Sequence, residues 1–120
     1  MSYKKGDVVV VKFPFVTKEG TAVTKKGRPA LVVSDDKIKR RYKDTTLAAI
    51  TSQVPEHIMK LEIILEPEGS NGLVKRSLLR LDFIMTIPEE LIGRKIGILP
   101  TSLMNEVEGR LKRLFGIKST

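Results

Sequence analysis

Two consecutive apolar runs in this chain carry chemistry at their ends. Arg28 opens the run Pro29-Ala30-Leu31-Val32-Val33-Ser34, and Thr51 closes Ala48-Ala49-Ile50, with Ser52 and Gln53 directly after it. If the runs pair side by side, a fixed positive charge and a hydroxyl meet at one end of a sheet. A guanidinium stays protonated and forks onto two phosphate oxygens, so this pairing suits a phosphodiester. The threonine hydroxyl can orient a phosphate or a neighbouring hydroxyl. It is a poor general base, because its own proton is not lost near neutral pH. Further on, Arg80-Leu81-Asp82 puts a second guanidinium and a carboxylate two residues apart. Strand alternation places both on one face. There Asp82 can accept a proton and Arg80 can stabilise developing negative charge. A surface ion pair is the competing reading.

The remaining composition fits a polyanionic partner. Net charge is +8, from 22 Lys and Arg against 14 Asp and Glu in 120 residues, and a domain this basic attracts nucleic acid before most other polyanions. Lys25 and Lys26 precede Arg28, and a second basic stretch between the apolar runs holds Lys39, Arg40 and Arg41 beside Tyr42. Such stretches track a phosphate backbone, and a tyrosine among them can stack a base. A solvated loop is the plainer alternative. No cysteine is present, which excludes a disulfide framework, a thiolate nucleophile and a thiolate zinc site. His57 is the sole histidine. A two-histidine acid–base pair and a histidine metal cluster are therefore excluded, and no metal or cofactor is expected. Neither a leader pattern nor an 18-residue apolar run occurs, so the chain is expected to be cytoplasmic and away from membranes.

These residues need a scaffold, and the pattern supplies one domain over residues 1–120. Val8 to Val11 reads as a strand that Pro14 ends or confines to a sheet edge. Val16 to Gly27 reads as a long hairpin loop, 29–34 as the second strand and 45–53 as the third, stopped by Pro55. A fourth strand is expected over 59–66 and a turn over Glu66 to Gly72, where proline, glycine and Asn-Gly cluster. Residues 74–86 form a long, bent strand. Thr86-x-x-Glu89 with Pro88 resembles a capping box opening one helical turn, ended by Gly93, and 95–99 is the last strand. Thr101 or Ser102 caps a helix whose Leu103, Val107, Leu111 and Leu114 form one apolar stripe, and Gly116 suits the position past its end. The class is mainly β: a small half-open barrel with a C-terminal helix packed on it.

An ordered set of short matches spans almost the whole chain. Gly6-Asp7-Val8-Val9 comes first, with Phe13-Pro14-Phe15, followed by Gly27-Arg28-Pro29-Ala30-Leu31-Val32-Val33-Ser34. Ala48-Ala49-Ile50-Thr51-Ser52-Gln53 follows, then Gly72-Leu73 with Ser77. Arg80-Leu81-Asp82 with Thr86-Ile87 and the tail Met104-Asn105-Glu106-Val107 complete it. The set resembles the MazF/PemK toxins of toxin–antitoxin systems. The resemblance implies an SH3-like barrel, a homodimer, and a cognate antitoxin whose flexible tail covers an RNA groove. It implies a sequence-selective, metal-independent endoribonuclease that cuts single-stranded RNA, chiefly messenger RNA.

On that resemblance Arg28 and Thr51 match the family's arginine-plus-threonine site. Arg80 and Asp82 match an Arg-x-Asp motif that some members use for catalysis. Those members also place a histidine in the loop after the first strand, and residues 16–27 contain none. Ser52, Gln53, Lys25, Lys26, Lys39, Arg40, Arg41 and Tyr42 are the RNA-binding candidates. Phe13, Phe15 and Phe83 are expected in the core or a dimer interface. Two other functions remain open. Phe115-Gly116-Ile117 has a faint likeness to the aromatic-Gly-Ile tail of gyrase-poisoning toxins of the same fold. A catalytically silent module binding RNA or a peptide is the second.

Overall fold

The computed structural model describes residues 3–16 and 23–118, with 13–16 and 23–26 as backbone only. Six strands run in chain order: β1 (Asp7–Val16), β2 (Val23–Val32), β3 (Asp44–Thr51), β4 (Glu62–Leu65), β5 (Ser77–Pro88) and β6 (Ile92–Ile98). A single 3-10 turn (Glu89–Leu91) joins β5 to β6, and helix α1 (Thr101–Leu114) follows. All neighbouring strands are antiparallel, in the spatial order β4-β5-β3-β2-β1-β6. This is the expected mainly-β half-open barrel with its C-terminal helix. Among the described residues no helix is long and apolar enough to cross a membrane.

The central strands are apolar at successive positions because each face of the sheet is buried in its own cluster. Val8, Leu31, Ala48, Ile50, Leu79 and Leu81 point to the face that α1 covers with Met104 and Val107. Val9, Val11, Ala30, Val32 and Leu47 form a second cluster with Ile87 and Ile92, where the curling sheet folds over itself. Three of the four expected stripe residues are core: Leu103 and Leu111 pack on the first cluster beside the buried Val107, and Leu114 lies outside it.

The turn in the connection between β4 and β5 reaches across to β6, at the other end of the sheet order. Asn71 is buried and organises that turn: its Oδ1 accepts from the Glu68 and Leu73 amides at 3.1 and 3.0 Å, and its Nδ2 donates to the Glu66 carbonyl at 2.9 Å. The turn lies on β6 backbone to backbone, with the Ile98 amide donating to the Ser70 carbonyl at 2.8 Å. Only glycine permits that approach. A Cβ on Gly97 would stand 2.3 Å from the Asn71 carbonyl carbon, and one on Gly72 would stand 2.1 Å from the Ile96 carbonyl oxygen.

Several boundaries differ from the sequence reading, each for a physical reason. The first hairpin is longer: β1 runs through Pro14 to Val16, and β2 begins at Val23, so much of the expected loop is strand. Pro14 is tolerated because β6 leaves β1 at the Val11–Ile92 pair, so that edge needs no donor from it. Residues 17–22 of that loop lie outside the described residues. Thr86 does not cap the turn after β5. Its Oγ1 is bonded across the ladder to Thr46 Oγ1 at 2.8 Å, and Pro88 takes the cap position. Gly93 lies inside β6 rather than ending the turn. Neither Thr101 nor Ser102 caps α1: Pro100 occupies that place, and its carbonyl accepts the first helical bond from Met104 at 3.0 Å. Gly116 does end the helix, at φ +68°, with the Gly116 amide bonded to the Arg113 carbonyl and the Ile117 amide to that of Lys112. That bond pair is a Schellman cap.

Candidate active site

The ladder between β2 and β3 aligns Ala30 with Ala49, Leu31 with Ala48 and Val32 with Leu47. Continued by two residues, the same register sets Arg28 opposite Thr51. On the other side of β3, Ala49 pairs with Arg80 of β5. Directly paired residues share a face, so Arg28, Thr51 and Arg80 collect on three adjacent strands. They line one groove of about 450 Å³, with Gln53 at its edge and Phe83 and Met85 along its apolar side. The Thr51 hydroxyl accepts the Gln53 amide at 3.2 Å, which fixes it in a strand-end turn while its own proton stays available to donate.

Arg80 and Asp82 form a two-pronged ion pair. Arg80 Nε donates to Asp82 Oδ1 at 3.2 Å and Nη2 to Oδ2 at 3.0 Å. Both side chains are 39% exposed, so the pair contributes little net stability. Its effect is on protonation. The hydrogen bond from Arg80, assisted by its charge, holds the Asp82 carboxyl below the usual carboxylate range. The same bond raises Arg80 above its already high value. A guanidinium carries five N–H donors, and the fork uses two of them. Arg80 can therefore pair with Asp82 and still offer donors to a phosphate.

A bulge in β5 produces this arrangement. Ala49 pairs with Arg80 but the preceding Ala48 pairs with Ile84, so the three residues 81–83 face no partner on β3. Leu81 stays anchored on the other side, its amide donating to the Leu61 carbonyl at 2.8 Å. An odd insertion reverses the in-and-out phase of everything after it. Ile84 consequently packs with the helix-covered cluster and Met85 with the opposite one. Phe83 is not in the core of the chain: it is 46% exposed and lines the groove, with the Arg80 guanidinium carbon 5.4 Å from its ring centroid. The bulge left a trace in the sequence: Leu78-Leu79-Arg80-Leu81-Asp82-Phe83-Ile84 breaks strict alternation twice.

The other expected binding residues are not gathered here. Lys39, Arg40, Arg41 and Tyr42 lie on the connection from β2 to β3, at the opposite end of that strand pair, about 16 Å from Arg28 along the strand. Arg40 there donates to Thr46 Oγ1 at 2.8 Å. Lys25 and Lys26 belong to β2, opposite Pro14 and Phe13, and their side chains lie outside the described residues. Ser52 is exposed and does not line the groove, whereas Gln53 does. His57 is exposed on the connection after β3. A larger hollow, about 690 Å³, lies beside Tyr3 and Lys43, but Asp44, Glu89 and Glu90 give it the wrong sign for a phosphate.

Comparison with known proteins agrees with the fold. A curated relative, the probable endoribonuclease MazF of Mycolicibacterium smegmatis, is 28% identical over 96 residues, covering 80% of this chain and 86% of that protein. Among solved structures, a mycobacterial endoribonuclease in complex with its cognate antitoxin superposes with a TM-score of 0.75 at 17% identity, covering 99% of this chain and 100% of that one. The Mycobacterium tuberculosis toxin MazF-mt6 superposes with a TM-score of 0.72 at 22% identity, covering 94% and 99%. The family model described as PemK-like, MazF-like toxin of type II toxin–antitoxin system matches residues 4–115. With nearly its full length matched, the chain belongs to the PemK-like, MazF-like toxins of type II toxin–antitoxin systems.

Proposed function

We propose that this chain is a metal-independent endoribonuclease that cuts single-stranded RNA, chiefly messenger RNA, at preferred sequences. The observation that carries the reading is the meeting of Arg28, Thr51 and Arg80 in one groove, with Asp82 paired to Arg80 and held ionised by it. The RNA 2′-oxygen attacks the adjacent phosphorus and the phosphorus–O5′ bond breaks, leaving a 2′,3′-cyclic phosphate. Asp82 takes the 2′-hydroxyl proton. Arg28 and Arg80 stabilise the charge on the phosphorane, the role a metal ion plays in other nucleases. Thr51 orients the phosphate, Gln53 and Ser52 hold the strand beside it, and water protonates the leaving oxygen. The basic residues Lys25, Lys26, Lys39, Arg40 and Arg41, with Tyr42, extend the positive surface along which the RNA approaches.

The proposal includes two protein partners and a compartment. The relative solved with its cognate antitoxin, and the MazE–MazF structures from Deinococcus radiodurans, support an antitoxin that binds this chain. A homodimer and a cytoplasmic location complete the reading. Of the feature that motivates the gyrase-poison alternative, Phe115-Gly116-Ile117, the glycine is accounted for by the helix cap.

The test is to incubate the purified protein with a long single-stranded RNA in EDTA, beside Arg28→Ala, and to map the ends. Reproducible cuts bearing cyclic phosphate are expected, reduced about 10²–10³-fold in the variant. No cuts in many RNA sequences by folded, antitoxin-free protein would overturn the reading and favour a silent binding module.

A further inference from the structure

We propose that Phe83 is the platform on which one nucleobase beside the cut phosphodiester stacks, so that the groove binds a base by its face next to the arginines that bind its phosphate. The inference rests on the ribonuclease reading and assigns a recognition residue to it. Phe83 is 46% exposed, a large uncovered area for an aromatic ring whose neighbours in sequence, Leu81 and Ile84, are packed inward. The bulge over 81–83 is what turns it out. Its ring lies under the Arg80 guanidinium at 5.4 Å and shares one groove with Arg28, Thr51 and Met85. The groove therefore has two characters. Its charged part suits a phosphate, and the apolar side formed by Phe83, Met85 and Pro29 suits a flat, weakly polar ring. Consecutive phosphate and base in a single strand present those two chemistries in the same order. A ring face accepts every base, so Phe83 supplies affinity and register, and sequence choice falls to groups that reach base edges.

The test uses a short RNA containing a mapped cut site, with deoxyribose at the attacking nucleotide so that it binds without reacting. Phe83→Leu keeps an apolar side chain of similar length and removes the ring face; thermal melting checks that it folds. Its affinity for this RNA should fall about 5- to 150-fold, the span for one lost base stack, and Phe83→Tyr should restore it. Abasic substitution along the RNA should reveal one position where losing the base weakens wild type by a similar factor and leaves Phe83→Leu nearly unchanged. On the matching all-ribose RNA the loss should appear chiefly as a raised KM rather than a lowered kcat. Unchanged affinity in Phe83→Leu, or no abasic position coupled to it, would overturn the proposal. So would a fall in saturated rate alone, which would make Phe83 only a support for Arg80. Wild-type protein that neither cuts nor binds any RNA would instead refute the nuclease reading itself.

Discussion

Replacing Gly97 by alanine should destabilise the protein through one contact. Gly97 has no positive φ, so the backbone accepts alanine without torsional cost. The obstacle is steric. The new methyl would meet the Asn71 carbonyl carbon at 2.3 Å and the Asn71 and Ser70 carbonyl oxygens at 2.5 Å, all backbone atoms that no side-chain rotation can move. Ordinary contact needs 3.4 Å or more, so the turn must lift from β6 by about 1 Å. The Ile98–Ser70 hydrogen bond, now 2.8 Å, then exceeds bonding range. One lost backbone bond costs about 1 kcal/mol and the residual overpacking about 1–3 kcal/mol. The sum of about 2–4 kcal/mol corresponds to a fall in Tm of about 8–16 °C for a chain of this size. Thermal and urea unfolding by circular dichroism would measure it. Gly109→Ala is the internal control: its Cβ meets open space on the helix surface, and stability should rise by about 0.5–1 kcal/mol. If Gly97→Ala stays within about 0.5 kcal/mol of wild type while the control behaves, the seam described between the turn and β6 is not closed in solution.

Asp82→Asn tests the ion pair by its pH dependence. Because the folded carboxyl sits below its unfolded value, the pair's small contribution is present above the unfolded value and fades as pH falls through the folded one. The stability gap between wild type and variant should therefore be flat near neutrality and close in acid, as pH-dependent urea unfolding would report. RNA cleavage by wild type should persist to pH values below the ordinary carboxylate range of about 4, because its base stays ionised there; a rate already falling by half at pH 6 would argue against Asp82 as that base. Leu81→Ala removes the buried anchor of the bulge, a side chain with no exposure. It should cost about 2–5 kcal/mol in urea unfolding, and a cost near zero would mean that the bulge is held by its hydrogen bond to Leu61 alone.

How much of this was legible depended on whether alternation survived. Arg28 and Thr51 could be placed together because the two apolar runs keep strict phase from Ala30 to Ala49. The helix could be read because Leu103, Val107 and Leu111 repeat on one side of a polar segment. The second strand was legible only from Pro29. Its earlier half, Val23-Thr24-Lys25-Lys26-Gly27, has the composition of a loop and is strand because β1 supplies the partner. The caps were misassigned because composition nominates a hydroxyl and cannot show that Thr86 is already bonded to Thr46. The core half of the Phe83 expectation failed because a period-two reading carries it inward, and only the partner strand shows where the period slips.

That slip has a consequence for how this segment tolerates change. Residues 81–83 include two exposed side chains, and an exposed stretch ordinarily accepts insertions and deletions freely. Here the count itself carries meaning. Removing or adding one residue makes the excess even and sends Ile84 to Pro88 to the wrong sides of the sheet, with Met85 and Ile87 losing their places in the second cluster. Random mutagenesis scored for folding should thus find the exposed positions 82 and 83 permissive to many substitutions yet the segment closed to single-codon indels, while gain of two codons together preserves the reading of everything downstream.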